Sequence, residues 1–554
     1  MRMAWLTAQG KASFLVLAIV AACLLPGLID HDPWKQDEAY TFGVVLNILE
    51  TGHWIVPTLA GEPFMEKPPL YYVAAAATSK LLSPFLPAHD GARVASLIFM
   101  AIGLAFSALA AHRLFGPGRG RLAALLLVAC PSLVSHAHEM IVDTALFAGF
   151  AIAFYGLARA LDRPRLAGAL LGTGVGIGFM SKGLVEPAMV GLAALLLPIA
   201  FRTWRTRAYL STLAWAAAFA APWLLAWPLA LLEAHPREFV VWIWTNNLGR
   251  YFGFARVGAG DEPWFYTTTI PWFTFPAGPI ALWAAWRLAK NRGWATSQGL
   301  QLSLAMSVAI VAVLSTAATS RSIYLMPLLI PVAVLAASAV DEVPRKVAMA
   351  ATGAMALLTA AFIAWVWGIW GSGVMSGLAP QVEALAGILP ADFRFDFEPA
   401  LVAGALLITG LWIAVALSRK PGTTPLQRWT ASIAAVWGIP MTLLLPWLDH
   451  AKSFREPFLE LSRHHAAPGC LASAGLGEPQ RAMLHYVAGI KTARLEVGGA
   501  PCEYLLLQVS NEDAAARLPA GSWSLVWQGS RPGERREKFL LYRLATENRN
   551  VAVR

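Results

Sequence analysis

The chain has 554 residues, 57% of them hydrophobic and 14% charged, whereas a soluble globular protein carries nearer a quarter charged residues. Its net charge of +10 is not a nucleic-acid signature, because the basic residues gather in short loops between apolar stretches, as membrane topology requires. A soluble enzyme and a nucleic-acid binder are excluded, and a polytopic integral membrane protein is expected.

In chain order, apolar stretches of membrane size fall at 11–29, 92–112, 121–135, 143–161, 166–181, 184–201, 208–231, 269–287, 299–317, 322–340, 347–370, 399–418 and 429–448. They predict a mainly α protein with about thirteen transmembrane helices. The first resembles a signal segment, and Val20-Ala21-Ala22-Cys23 resembles a lipoprotein cleavage box. The apolar run continues past it and further spans follow, so an uncleaved anchor is expected. Trp34, Trp54, Trp264, Trp272 and Trp447 fall near span ends, where indoles anchor at the interface.

Alternate loops hold Arg2/Lys11, Arg113/Arg119/Arg121, Arg159/Arg163/Arg165, Arg202/Arg205/Arg207, Arg287/Lys290/Arg292, Arg345/Lys346 and Arg419/Lys420/Arg428. The intervening short loops hold almost none. By the positive-inside rule the N-terminus is cytoplasmic, and an odd number of spans puts the C-terminus outside. The apolar stretch Pro69–Phe85 would reverse every later loop if it crossed, so it is expected to lie at the outer interface. The first outer loop then runs over 30–91 and a second long one over 232–268, within a membrane domain of 1–448.

After Asp449 charged residues, Gly and Pro become frequent. Strand patterns occur at Lys491–Val497, Glu503–Val509, Trp523–Gln528 and Lys538–Leu544, and helix patterns at Arg481–Ala488 and Asn511–Arg517. A small α/β domain over 449–554 is expected on the periplasmic side of a bacterial inner membrane. Cys470 and Cys502 are its only cysteines; in an oxidising compartment they suit a disulfide, the alternative being two buried thiols. Cys23 and Cys130 lie in spans as packing residues. The glycine run Gly172–Gly178 sits inside a span, where small residues let helices approach, and is not a phosphate cradle.

The unusual polar residues all fall at one side of the predicted bilayer: Asp37, Glu38, Glu66 and Lys67; His136, His138, Glu139 and Asp143; Lys182 and Glu186; Asn246, Asn247, Arg250, Arg256, Asp261 and Glu262; Arg321 and Tyr324. Charges there are costly to desolvate and mark function. Lys67, Lys182, Arg250 and Arg321 suit an anion such as a phosphate; Asp37 suits a base, a sugar hydroxyl or a metal. Each has a plain structural alternative: Asp37-Glu38 as helix-dipole charges, Glu66-Lys67 as a solvated ion pair, Asp143 as a cap, and Lys182 as a snorkelling lysine. Glu186 reads as structural. His136, His138 and Glu139 are metal-ligand types but a weak cluster; no cofactor is certain from the sequence, a divalent metal is unsupported by any spacing, and metal dependence is left open.

Asp37-Glu38, then Gly52-His53-Trp54-Ile55-Val56-Pro57, then Phe64-Met65-Glu66-Lys67-Pro68-Pro69, with Val142-Asp143-Thr144-Ala145, Ser181-Lys182-Gly183, Asn247-Leu248-Gly249-Arg250 and Ser322-Ile323-Tyr324 in that order, resemble the GT-C glycosyltransferases of the protein O-mannosyltransferase superfamily, in particular the lipid A aminoarabinose transferase branch. The resemblance implies an undecaprenyl-phosphate-linked sugar donor and a lipid acceptor, lipid A or lipopolysaccharide, at the periplasmic face. It further implies Asp37 as the essential carboxylate with Glu38 beside it, Lys67 on the donor phosphate with Glu66 orienting it, and Asp143, Lys182, Arg250 and Tyr324 lining the substrate cavity; Asn247 and Arg321 are further substrate-binding candidates. Two positions depart from that branch: it has Asp-Glu-Thr-Arg where this chain has Asp37-Glu38-Ala39-Tyr40, and His where Asn247 stands. A protein or other glycan acceptor, or a lipid-linked sugar flippase, are the competing readings. A flippase would spread polar residues through the midplane.

Overall fold

The computed structural model describes residues 2–544 except 256–261, 263, 292, 378–388, 391–392, 419–423, 466–469, 499–501, 511–517, 519–521 and 535. Arg256, Asp261 and the helix pattern 511–517 therefore lie outside the described residues.

Each of the thirteen apolar stretches carries a helix or a broken helix pair. Five helices are long and apolar enough to cross a membrane: Ala88–Phe115, Arg207–Ala234, Gln298–Ser315, Arg345–Ser376 and Pro399–Ala416. A sixth is reached if Pro425–Leu443 and Leu445–His464, bent by 63°, form one span. Shorter apolar helices include Val142–Ala158, which is almost entirely buried, and Val185–Ala200, which exposes Leu195 and Ile199. Proline sets several breaks, because its ring removes a backbone donor: Pro131 opens a new helix after Val128, and Pro327 and Pro440 interrupt others.

The glycine run packs helices, as small residues permit. A Cβ at Gly172 would lie 2.3 Å from the Ala216 carbonyl oxygen, and one at Gly174 would lie 2.5 Å from the Ala153 amide nitrogen. The Pro164–Lys182 helix is thus wedged between Val142–Ala158 and Arg207–Ala234. Glu186 is fully buried against this seam, where a Cβ at Gly149 would meet its carboxylate at 2.9 Å.

The stretch predicted as the first outer loop is largely helical. Gln36–Thr51 is followed by a two-stranded hairpin, β1 (Thr58–Leu59) and β2 (Glu62–Pro63), and by Leu70–Leu82. That last helix has 13 residues, too few to span a bilayer. It buries Tyr71, Tyr72, Ala75 and Ala76, and Tyr71 is held by Ser96 Oγ at 2.6 Å. The stretch predicted as the second long loop is also mostly ordered into helix, its residues 241–249 as a π-helix. Such wide turns are rare and gather at functional sites.

The C-terminal region forms a five-stranded sheet of β3 (Leu471–Ala474), β4 (Ala493–Arg494), β5 (Tyr504–Ser510), β6 (Trp523–Gly529) and β7 (Glu537–Leu544), in the order β4-β3-β5-β7-β6. β3 runs parallel to both β4 and β5, while β7 is antiparallel to β5 and β6. The helix Glu478–Ala488 links β3 to β4. β3 carries no strand prediction from sequence: at four residues it is too short to alternate. Cys470 and Cys502 are disulfide-bonded across the start of β3 and β5, their Cα atoms 5.1 Å apart.

The sheet is seated on the first outer loop. Gly43 lets Gln36–Thr51 approach Glu478–Ala488 so closely that a Cβ there would lie 2.5 Å from the Ala482 Cβ. Phe42 meets Tyr486 edge-on at 4.7 Å. Arg455 forks onto Asp32, which Ser453 also holds at 2.7 Å.

Candidate active site

Asp37 and Glu38 are neighbours on the first turn of Gln36–Thr51, where the helix dipole favours carboxylates, yet they face opposite ways. Glu38 is 2% exposed and pairs with the fully buried Arg93, Nε to Oε1 at 2.6 Å. It also accepts from the Met140 amide at 3.2 Å. Arg93 reaches Asp90 at 2.5 Å as well. Burial opposes ionisation of Glu38, but the charge of Arg93 overrides it and holds the carboxyl below its ordinary value. The group expected to share catalysis is instead part of a buried ion-pair network.

Asp37 faces the cluster of cations. Arg321 contacts Oδ2 at 2.6 Å and Oδ1 at 3.4 Å, and the Tyr40 hydroxyl donates to Oδ1 at 2.9 Å. Burial works to raise its pKa, but the charge of Lys67, then Arg321 and Tyr40, hold it below the usual carboxylate value. Tyr40, one turn on from Asp37, was not singled out as a site residue; its signal was the i, i+3 spacing that puts both on one helix face.

Lys67 follows the hairpin and precedes Pro68-Pro69. A proline keeps the residue before it extended, which presents the lysine off the loop. Its Nζ donates to the Tyr40 hydroxyl at 3.0 Å and lies 4.0 Å from Glu66. Burial lowers its pKa, but Tyr40, Tyr72 and Glu66 outweigh this and raise it well above the ordinary value. Glu66 also pairs with Arg250 at 3.4 Å. Arg250 directly follows the π-helix, whose Asn247 side chain is tied to the Trp242 carbonyl at 2.9 Å.

Lys182 is the last residue of its helix and forms an ion pair with Asp143 in the first turn of the preceding helix, Val142–Ala158. Its ammonium lies 4.1 Å from the Tyr324 ring centroid, a cation–π contact. Gly183 ends the helix at φ +72°, and a Cβ there would lie 2.2 Å from Asn247 Oδ1. That oxygen accepts from the Leu184 amide at 3.2 Å, so Asn247 fastens the turn carrying Lys182.

Glu66, Lys67, Lys182, Asn247, Arg250 and Tyr324 line one cavity of about 220 Å³. Its remaining walls include Leu146, Val185, Met189, Phe252, Val313 and Leu314. An apolar chamber closed at one end by cations suits an amphiphile with an anionic head. Asp37 stands behind that end, joined through Tyr40 to Lys67. His136 pairs with Glu139 at 3.2 Å, and Glu139 with Lys35 at 2.5 Å. His138 stacks on Trp437 with centroids 4.9 Å apart. No group of three His, Cys, Asp or Glu among the described residues converges as a metal site. Glu262 is exposed, away from these contacts.

The family model described as dolichyl-phosphate-mannose-protein mannosyltransferase matches residues 66–227. An undecaprenyl phosphate-α-4-amino-4-deoxy-L-arabinose arabinosyl transferase of Pseudomonas aeruginosa strain LESB58 is 28% identical over 473 residues, covering 82% of this chain and 78% of its own. A second such transferase from Pseudomonas fluorescens strain Pf0-1 is 27% identical over 446 residues, covering 78% and 75%. Among solved structures, ArnT from Cupriavidus metallidurans bound to undecaprenyl phosphate matches with a TM-score of 0.72 at 15% identity, over 96% of this chain and 98% of that one. The chain is thus similar over most of its length to these arabinosyl transferases, matches the mannosyltransferase family model over 66–227, and shares the fold of the solved ArnT.

Proposed function

We propose that this protein transfers a sugar from undecaprenyl phosphate to a lipid acceptor, lipid A or lipopolysaccharide, at the periplasmic face of a bacterial inner membrane. The carrying observation is the apolar cavity capped by Lys67, Lys182 and Arg250 beside Asp37. The relatives' names supply the first sugar to test, 4-amino-4-deoxy-L-arabinose. In this reading about thirteen helices span the membrane, the N-terminus is cytoplasmic and the C-terminal sheet is periplasmic.

Transfer breaks the bond between the anomeric carbon and the donor phosphate oxygen and forms one to an acceptor oxygen. Undecaprenyl phosphate leaves with added negative charge. Lys67, Arg250 and Lys182 are aimed where that charge develops, in surroundings that exclude water, which is where fixed cations act most strongly. Asp37 is held ionised. With a hydroxyl acceptor it takes the proton; with a phosphate acceptor no proton need leave, and it positions the incoming group.

The test is transfer in vesicles, with undecaprenyl phosphate-linked aminoarabinose as donor and purified lipopolysaccharide as acceptor, read by mass spectrometry of the acceptor lipid. A pentosamine mass added by wild type and absent with Asp37→Asn supports the reading. No added mass from a folded protein that binds undecaprenyl phosphate refutes this acceptor, and movement of the intact donor between leaflets would make the protein a flippase.

A further inference from the structure

A second cavity, a polar groove of about 690 Å³, lies where the C-terminal sheet meets the first outer loop. It opens at the carboxyl ends of β3 and β5. The chain leaves β3 for β4 on one side and later returns as β5 on the other, so this is the point where strand order reverses. In open α/β sheets, ligands bind in the crevice such a reversal leaves.

The groove is built for a polar head carrying negative charge. Five basic side chains line it against two acidic ones. Much of the basic charge already has partners: Lys452 pairs with Glu534 at 2.7 Å and Arg531 with Glu537 at 2.6 Å, while Arg481 and Arg494 share the carboxylate of Glu62 at 2.9 and 3.0 Å, with Glu496 3.9 Å from Arg494. The Arg481 side chain is 7% exposed, and its Nε–H has no acceptor among the described residues. The indole N–H of Trp34, also in the groove lining, is likewise buried without an acceptor among the described residues. Buried donors are rarely left unsatisfied without a ligand or water to receive them.

The groove also borders the reaction centre. Lys35 and Gln36 form part of its wall, and the next residue is Asp37. Burial and then the charge of Glu66 raise the pKa of Glu478 in the groove wall, with Arg481, Arg494 and then Lys67 pulling against them. The apolar cavity is thus linked to Asp37 through Lys67 and Tyr40, and the polar groove through the adjacent Lys35 and Gln36.

We propose that this groove receives the anionic headgroup of the acceptor, with Arg481, Arg494 and Trp34 as its hydrogen-bond donors. The proposal rests on the glycosyl-transfer reading above and adds to it the place where the acceptor is recognised. The test uses the full-length protein in the vesicle assay, titrating acceptor and donor separately for wild type, Arg481→Gln, Arg494→Gln and Trp34→Phe. Loss of one charged donor is expected to raise the acceptor KM about tenfold and to leave the donor KM within about twofold. Glucosamine 1-phosphate should compete with the acceptor and not with the donor, and should lose that competition in Arg481→Gln; unphosphorylated glucosamine should not compete.

An acceptor KM unchanged in all three variants overturns the proposal, as does an equal rise in both KM values. Arg481 also seats the sheet on Glu62, so each variant is melted in detergent; if Arg481→Gln unfolds, the half-exposed Arg494 carries the result. A wild type that neither transfers nor hydrolyses donor refutes glycosyl transfer itself, and the groove's role falls with it.

Discussion

Asp37 and Glu38 are adjacent carboxylates with opposite environments, and exchanging each for its amide should separate chemistry from stability. Glu38 is 2% exposed and 2.6 Å from a fully buried guanidinium. Removing one partner from such a pair typically costs about 3–5 kcal/mol, because the remaining charge stays buried. Arg93 keeps Asp90 at 2.5 Å, which places the expected loss for Glu38→Gln near the lower end, about 3 kcal/mol. Asp37 is 21% exposed and its partner Arg321 is 40% exposed, so solvent screens that pair and Asp37→Asn should cost about 1 kcal/mol or less. Turnover should behave the other way. Asp37→Asn should lower kcat about 10²- to 10⁴-fold if Asp37 acts on the reacting groups, whereas Glu38→Gln, assayed below its lowered melting temperature, should retain most activity. Thermal unfolding in detergent and initial-rate transfer in vesicles, on the same preparations, measure both. A Glu38→Gln protein that melts like wild type but is inactive would refute the assignment of Glu38 to the scaffold.

The remaining predictions concern charge, covalent constraint and packing. Asp37 is held below its ordinary pKa chiefly by Lys67, so its ionised form should persist at every pH above the usual carboxylate range, about 4. Its favourable pairing is lost only as pH falls through the depressed value, and Lys67→Met should move the acid limb of the pH–rate profile upward. A Lys67→Met limb at the wild-type position would contradict that coupling. Reduction of the Cys470–Cys502 disulfide, which spans 32 residues in sequence, or Cys502→Ser, should cost about 3 kcal/mol in unfolding of the C-terminal sheet, seen as earlier protease cleavage after Asp449. Gly174→Ala should gain about 1 kcal/mol of helix propensity, yet its Cβ would lie 2.5 Å from the Ala153 amide nitrogen and 2.6 Å from the Gly149 carbonyl oxygen. Backbone atoms cannot step aside as a side chain can, so overpacking of about 1–3 kcal/mol should win and the melting temperature should fall.

Helix placement was legible because each apolar stretch carries its own signal, and membrane-length hydropathy is the strongest pattern a sequence offers. Breaks within those stretches were less legible: Pro131, Pro327 and Pro440 are visible as letters, but whether a proline kinks or ends a helix depends on what packs against it. The site's membership was read from charges that are expensive at a membrane face. Their partnerships were not, because they cross large distances in sequence: Asp37 to Arg321, Glu66 to Arg250, Asp143 to Lys182. The division between Asp37 and Glu38 was hidden for the same reason. It depends on Arg93, which begins an apolar helix and gives no local sign that it turns back to a carboxylate 55 residues earlier. β3 escaped notice because its four residues are specified by β4 and β5 on either side, a non-local requirement.

The cations at the head of the cavity show how such a site can take a phosphate without leaving bare charge at a membrane face. Each already has an anionic or phenolic partner: Arg250 with Glu66, Lys182 with Asp143 and the face of Tyr324, Lys67 with the Tyr40 hydroxyl. A buried cation lacking a partner would cost several kcal/mol, so these pairs keep the cluster in place. A phosphate entering from the lipid side offers oxygens that replace Glu66 and Asp143 as acceptors, and most of the desolvation has already been met by the fold. Binding is then largely an exchange of partners. The gain is greatest when charge on the phosphate rises as the sugar leaves, which favours the transition state over the bound donor. Tyr40 completes the arrangement: its hydroxyl accepts from Lys67 and donates to Asp37, so movement of Lys67 is felt at the Asp37 carboxylate, which is proposed to meet the acceptor.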